Sequence, residues 1–198
     1  LSAACNYAKE CGWNVENPAR GKKLAEPEGR VRWLEKDEAV RLIQAAAGMA
    51  RAPWLASYIQ LSLNTGCRMG ELLGLEWSRV DLPAGLIYLD SAHTKTGKRR
   101  SVPLNAAARE ALINRARFRA EHCPASPWVF CRKSGARLTT MRRSFETALS
   151  LAGIEDFRRH DLRHAAACFM LRAGATLPEI GKILGHASPA MTARYAHI

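Results

Sequence analysis

The sequence predicts a mainly α fold with one small antiparallel β-sheet, an α+β domain. Three observations carry this. Most apolar patterns repeat at three and four residues rather than at two. Small polar residues open several of these segments, and glycines close them. Only the stretch around Thr94-Lys95-Thr96-Gly97-Lys98 has two short strand-like runs flanking a turn.

Residues 1 to about 17 read as a helix, with Ala3, Ala4, Tyr7, Ala8 and Cys11 near one face and Gly12 ending the pattern. Residues 18–30 are polar and interrupted by Pro and Gly, which reads as a linker, so the main domain starts near Val31. Glu35 to Ala47 forms a helix burying Ala39, Leu42, Ile43 and Ala46, although Leu34-Glu35-Lys36 offers no Ser or Thr cap. Trp54 to Asn64 forms a second helix, stopped by Gly66, and a short one runs from about Arg68 to Leu75. Leu86 to Asp90 and Arg100 to Leu104 pair as a hairpin with a basic tip. Asn105 caps a long helix to about Glu121, and Thr139 or Thr140 opens another to about Ala152. Asp161 to Ala173 is a helix ended by Gly174. Thr176 and Glu179 form a capping box around Pro178 for a helix from Leu177 to about Leu184. Ser188 caps a final helix with Pro189 at its first position, and Tyr195 lies on it.

The 198 residues, 47% of them hydrophobic, suit one domain with a real core. No run of 18 apolar residues and no signal peptide is present, so no membrane partner is expected. The chain begins at Leu1 rather than Met, which reads as a piece of a longer protein. Lys and Arg exceed Asp and Glu by 30 to 18, a net charge of +12, which favours a polyanionic partner and nucleic acid first. The six cysteines (Cys5, Cys11, Cys67, Cys123, Cys131 and Cys168) form no C-x-x-C pair and read as reduced thiols of a cytosolic protein.

The chemistry-bearing segments are polar and basic. In His160-Asp161-Leu162-Arg163-His164 the helical period puts His160, Arg163 and His164 opposite Leu162, Ala165, Ala166 and Phe169. A cationic trio at a helix start can take a phosphate, with Arg163 offering a forked bond; a solvated polar face is the plainer reading. The spacing of His160 and His164 also suits a metal pair, but no Glu of the H-E-x-x-H type and no third ligand is well placed, so neither metal nor other cofactor is expected. Arg68 and Glu71, three apart, can touch, and Glu71 then fixes the Arg68 fork for a second phosphate clamp. Lys95, Lys98, Arg99 and Arg100 make the hairpin basic, and a Lys at a phosphate can protonate a leaving alkoxide. Leu184-Gly185-His186 puts a His in a turn, and Tyr195 follows near the chain end.

Taken together and in order, these segments resemble the tyrosine recombinase (phage integrase) family, catalytic domain. The matching stretches are Thr65-Gly66-Cys67-Arg68-Met69-Gly70-Glu71, Thr94-Lys95-Thr96-Gly97-Lys98 with Val102-Pro103-Leu104, His160-Asp161-Leu162-Arg163-His164, Leu184-Gly185-His186, and Thr192-Ala193-Arg194-Tyr195-Ala196-His197. The resemblance covers nearly all of residues 31–198. It implies the family's catalytic fold there, a remnant of a core DNA-binding domain in residues 1–17, and an interdomain linker in 18–30. It also implies that Tyr195 is the nucleophile and that Arg68 and Arg163 bind the phosphate's non-bridging oxygens. His160 would exchange a proton with the Tyr195 hydroxyl, Lys95 would protonate the leaving 5′ oxygen, His186 would donate to the phosphate, and Glu71 would support Arg68. Lys98, Arg99, Arg100 and His164 would contact DNA.

The implied partners are double-stranded DNA, a homotetramer on DNA formed from a chain monomeric in solution, and accessory DNA-bending proteins. The implied setting is the cytoplasm of a bacterium or a phage-encoded protein at the nucleoid. Three other readings remain at this point: a type IB topoisomerase, a non-catalytic DNA-binding module, and a metal-dependent nuclease. Only three residues follow Tyr195, whereas family members often carry a tail that packs on a neighbouring subunit.

Overall fold

The structure, a computed structural model, describes residues 2–18, 20, 32–90 and 99–197. The chain divides into two compact units, residues 1–30 and residues 31–198. In the first, α1 spans Ser2–Glu10 and is shorter than the sequence pattern suggests. Gly12 adopts φ +82°, and the Cys11 and Gly12 N–H groups turn back onto the Tyr7 and Lys9 carbonyls, which ends the helix early. The Asn17 amide then donates to Ser2 Oγ at 2.9 Å and Asn6 Oδ1 at 3.1 Å, folding the segment back along α1. Most of the expected linker lies outside the described residues.

In the second unit α2 is Lys36–Ala47. It starts without Ser or Thr because the Glu38 carboxylate does the capping, accepting the Glu35 N–H at 2.9 Å while pairing with Arg32. Helix α3, Leu55–Thr65, packs against α2 and is buried on nearly every side. A short α4, Met69–Leu73, and one 3₁₀ turn, Trp77–Arg79, lead into the sheet. Its strands are β1 Val80–Asp81, β2 Leu86–Leu89 and β3 Arg100–Pro103, all antiparallel, with Val80 opposite Ile87 and Ile87 opposite Val102. The β2–β3 pair is the hairpin read from the sequence, and its tip at 91–98 lies outside the described residues. At two residues, β1 is too short to show a periodic pattern.

Helix α5, Ala106–His122, packs on α3 and is capped by Asn105, whose Oδ1 accepts the Ala108 N–H at 2.9 Å. Helix α6, Arg142–Leu151, starts two residues after Thr140. Leu138 and Met141 are buried and the Leu138 N–H is bonded to the Phe130 carbonyl, which holds this stretch out of the helix. Helix α7, Asp161–Arg172, crosses α3, and α8, Leu177–Leu184, packs on α7 and β3. The last helix, α9, is only Ala190–Ala193. Pro189 takes the cap position, and Ser188 contributes its carbonyl, to the Met191 N–H at 3.1 Å, rather than its hydroxyl. Tyr195 therefore lies in the turn after α9. It is buried in a small apolar cluster with Ala167, Cys168, Ile180 and Leu184.

One expectation fails in detail. Helix α7 does not set an apolar face against a solvated cationic one, because every residue from Leu162 to Cys168 is buried. The run Ala165-Ala166-Ala167-Cys168 lets neighbours close on several sides, as in helices that are apolar all round. The polar trio accordingly faces a cleft inside the fold. Among the described residues no helix is long and apolar enough to cross a membrane.

Candidate active site

Two left-handed glycines build the site. Gly66 ends α3 at φ +63°, and a Cβ there would stand 2.2 Å from Leu184 Cδ2. Gly185 ends α8 at φ +67°, and a Cβ there would stand 3.0 Å from Arg100 Nη1. Only glycine tolerates both the backbone angle and the contact. The C-terminal ends of α3 and α8 are thereby brought together.

A helix C-terminus presents carbonyls with no partner and the negative end of the macrodipole. Three arginines meet those of α8 and the α3 end. Arg163 donates from Nη1 to the Gly66 carbonyl at 2.8 Å and from Nη2 to the Leu184 carbonyl at 2.7 Å. Arg100 Nε donates to the Ile183 carbonyl at 2.9 Å, and Arg68 Nη2 to the Gly185 carbonyl at 3.4 Å. Burial first, then Arg68, lowers the Arg163 pKa to about 10, so the group stays charged at neutral pH.

Glu71 is the counter-charge. It is 3% exposed and accepts the Arg68 N–H at 2.7 Å, Arg68 Nη1 at 3.0 Å, and a fork from Arg100 at 3.0 and 2.7 Å. Burial alone would raise its pKa; the Arg100 hydrogen bonds and charge, then Arg68, outweigh that and hold it below the ordinary carboxylate range. The expected Arg68–Glu71 contact is present. Arg100, expected on DNA, instead has its guanidinium inward against Glu71, with a side chain 7% exposed.

Arg68, His160, Arg163, His164, His186 and Tyr195 line one cavity of about 390 Å³. Arg68, His160 and Arg163 also line a neighbouring cavity of about 390 Å³ that includes Arg142, Arg158 and Arg159. Lys95 and Lys98 lie outside the described residues. Arg99 is exposed, 3.8 Å from Asp90, a surface pair worth little. Among the described residues no three His, Cys, Asp or Glu side chains are placed to hold a metal ion.

The imidazoles are held neutral. His186 Nδ1 is 2.7 Å from Thr192 Oγ1, and burial, then Arg163 and Arg68, lower its pKa to about 4. Burial and then Arg163 lower that of His160. His164 Nδ1 lies 2.6 Å from Tyr195 Oη, and burial and then His160 bring His164 to about 4. The ring on the phenol is thus His164, expected on DNA, while His160 meets His164 edge-on with centroids 5.2 Å apart. Burial raises the Tyr195 pKa against the pull of Arg163 and Arg194, so the resting phenol is protonated.

Sequence reading missed the inward roles of Arg100, His164 and Thr192. The i+4 spacing of His160 and His164 was a visible signal for one of these. Nothing local in the sequence joins Arg100 to Glu71, 29 residues apart.

Comparison with known proteins places the sequence and the fold. Residues 32–198 match the Phage integrase family. The chain is 38% identical to the tyrosine recombinase XerD of Caulobacter vibrioides, over 94% of this chain and 64% of that protein. The fold matches a crystal structure of XerA recombinase with a TM-score of 0.72 and 31% identity, covering 99% of this chain and 69% of that one. It also matches a lambda integrase tetramer bound to a Holliday junction, with a TM-score of 0.72 and 24% identity over 98% of this chain and 56% of that one. The chain spans 50% to 64% of the length of the first curated relatives it matches. With its catalytic-domain fold and a family match over almost all of the second unit, the chain belongs to the phage integrase family of tyrosine recombinases.

Proposed function

We propose that this chain carries the catalytic activity of a site-specific DNA recombinase, cutting and rejoining strands of double-stranded DNA through a 3′-phosphotyrosine at Tyr195. The observation that carries this reading is the single cavity shared by Tyr195, Arg68, Arg163, His160 and His186. A phosphodiester under attack gathers negative charge on its equatorial oxygens. Two fixed guanidiniums and neutral imidazoles stabilise that charge more than they stabilise the ground state. Loss of one such donor typically costs about 3–4 kcal/mol of barrier.

Arg68 and Arg163 hold the non-bridging oxygens with the donors left over from Glu71 and the helix carbonyls. When the Thr192 hydroxyl, 2.7 Å away, donates to His186 Nδ1, Nε2–H of His186 is left to donate to the phosphate. His160 stands at the junction of the two cavities, beside Arg163. As Tyr195 Oη bonds to phosphorus, the bond to the 5′ oxygen breaks, and Lys95 supplies the proton that oxygen takes. Rejoining is the reverse, and the phosphotyrosine keeps the bond energy of the cut strand. Lys98 and Arg99 contact the duplex backbone. By analogy with the lambda integrase tetramer on its junction, four copies act together on DNA in the bacterial cytoplasm at the nucleoid, with DNA-bending proteins as accessory partners.

The test is covalent capture of the wild-type chain on a pool of nicked random-sequence duplexes, with chelator present, followed by mapping of the modified residue. An adduct at Tyr195 is expected, lost in Tyr195→Phe while that variant still binds the captured duplex. No adduct from the wild-type chain, or one surviving in Tyr195→Phe, overturns the reading.

A further inference from the structure

The geometry points to His164 as the group that takes the proton of Tyr195 when the phenol attacks phosphorus, and that returns it when the strand is rejoined. This rests on the reading of Tyr195 as nucleophile and deepens it. The reading of the sequence gave this proton exchange to His160. In the structure the phenol oxygen is 2.6 Å from His164 Nδ1, within the reach a general base needs. His160 sits one turn earlier, at the cap of α7, and its ring and that of His164 meet edge to face.

The surroundings fit an acceptor. His164 is 8% exposed and fixed on a twelve-residue helix, so its ring is held in place. The charged and titratable groups around it are His160 at the cap of α7, Asp161 and Arg163 on α7, His186 after α8, and Arg194 and Tyr195 from the C-terminal segment. Burial and then His160, with Arg194 and Arg163, disfavour its protonation more than Asp161 favours it. His164 is therefore neutral in the resting chain, and its tautomer with the proton on Nε2 is the one in which Nδ1 accepts the Tyr195 hydroxyl.

The same surroundings keep the proton on the phenol until the reaction starts. Burial raises the Tyr195 pKa, and an imidazolium beside Arg163 and Arg194 is unfavourable. A phosphate entering the cavity changes both conditions. The forming Oη–P bond strips basicity from Oη, and the negative charge on the phosphoryl oxygens offsets a cation at His164. One bond forms, Oη–P, and one breaks, P–O5′. The phenol proton moves to Nδ1, and the 5′ oxygen takes its own from the general acid, so the total proton count is unchanged.

The experiment is single-turnover adduct formation on the captured duplex with wild type, His164→Asn and His160→Asn. Asn keeps an acceptor oxygen near the place of Nδ1 but is not a base. His164→Asn is expected to slow the adduct about 10²–10⁴-fold at pH 7. The defect should narrow as pH rises to 9.5 and phenolate forms unaided. A fluorinated tyrosine of lower pKa at position 195 should rescue His164→Asn far more than it alters wild type. Cooperative urea unfolding and retained duplex binding check the fold, and His164→Gln replaces the Asn variant if that one does not fold. A His164→Asn rate within threefold of wild type overturns the inference, as does a defect that neither pH nor the fluorinated tyrosine relieves. Failure of the wild-type chain itself to form an adduct overturns the proposed function instead.

Discussion

Glu71→Ala tests whether the arginine cluster is held by one buried carboxylate. The Glu71 side chain is 2% exposed, and those of Arg68 and Arg100 are 18% and 7%. Removing the carboxylate deletes four hydrogen bonds and leaves two guanidiniums beside a third, Arg163, with no counter-charge between them. Breaking a buried pair from one side costs about 3–5 kcal/mol, because the partner stays buried and unpaired. Against the 5–15 kcal/mol typical of a whole domain that is a large share. Urea unfolding with an unchanged m-value measures it. Removing the most buried of the partners as well, as in Glu71→Leu with Arg100→Met, should cost less than the sum of the two single changes, since one of the two stranded cations is then gone and Arg68 alone remains without its carboxylate. A loss under about 1 kcal/mol, as for an exposed pair, would refute the argument. So would a double variant less stable than the sum of its two single changes.

Acid should destabilise the chain in a defined window. His164 and His186 fall from 6.5 to about 4 on folding, so their contribution is complete above pH 6.5 and is lost as pH falls towards 4. For His164 this is on the order of 2 kcal/mol once solvent screening is allowed for. Glu71, also depressed, adds to the loss below its ordinary range; a urea midpoint that does not move between pH 7 and pH 4.5 contradicts this. Gly66→Ala places a Cβ 2.2 Å from Leu184 Cδ2 at φ +63° and should cost about 2 kcal/mol or more by thermal or urea unfolding. Asn105→Ala removes the cap on the Ala108 N–H and should cost about 1 kcal/mol, with a null result placing the stability of α5 wholly in its packing.

Much of the fold was legible because its signals are local. The Thr176–Glu179 box and Pro178 mark the start of α8 to the residue, and Asn105 does the same for α5. The rest depends on tertiary contact. Arg115 of α5 is a charged side chain, yet it is 1% exposed, donates to the Val129 and Cys131 carbonyls, and lies 4.1 Å from the centroid of the Phe118 ring. The extended stretch before α6 exists because the Phe130 carbonyl takes the Leu138 N–H, which no window of sequence around Thr139 reveals. Helix α9 starts one residue later than read, because Pro189 takes the cap position where the sequence suggested that Ser188 would stand.

The candidate site divides along the same line. Arg68, Glu71, His160, Arg163, His186 and Tyr195 stood out by type and order, and the described fold gathers all of them around one cleft. What the sequence could not show is how three guanidiniums sit so close together. Like charges at that separation repel, and one carboxylate balances only part of them. The remainder is met by the carbonyls of residues 183–185 at the end of α8, which are unpaired and aligned towards the cluster only once that helix has formed and turned at Gly185. The arginine cluster is therefore not three arginines on a surface. It is a helix end whose hydrogen bonds orient Arg163, Arg100 and Arg68, and the proposed function rests on the guanidinium donors of Arg68 and Arg163 that these bonds leave over.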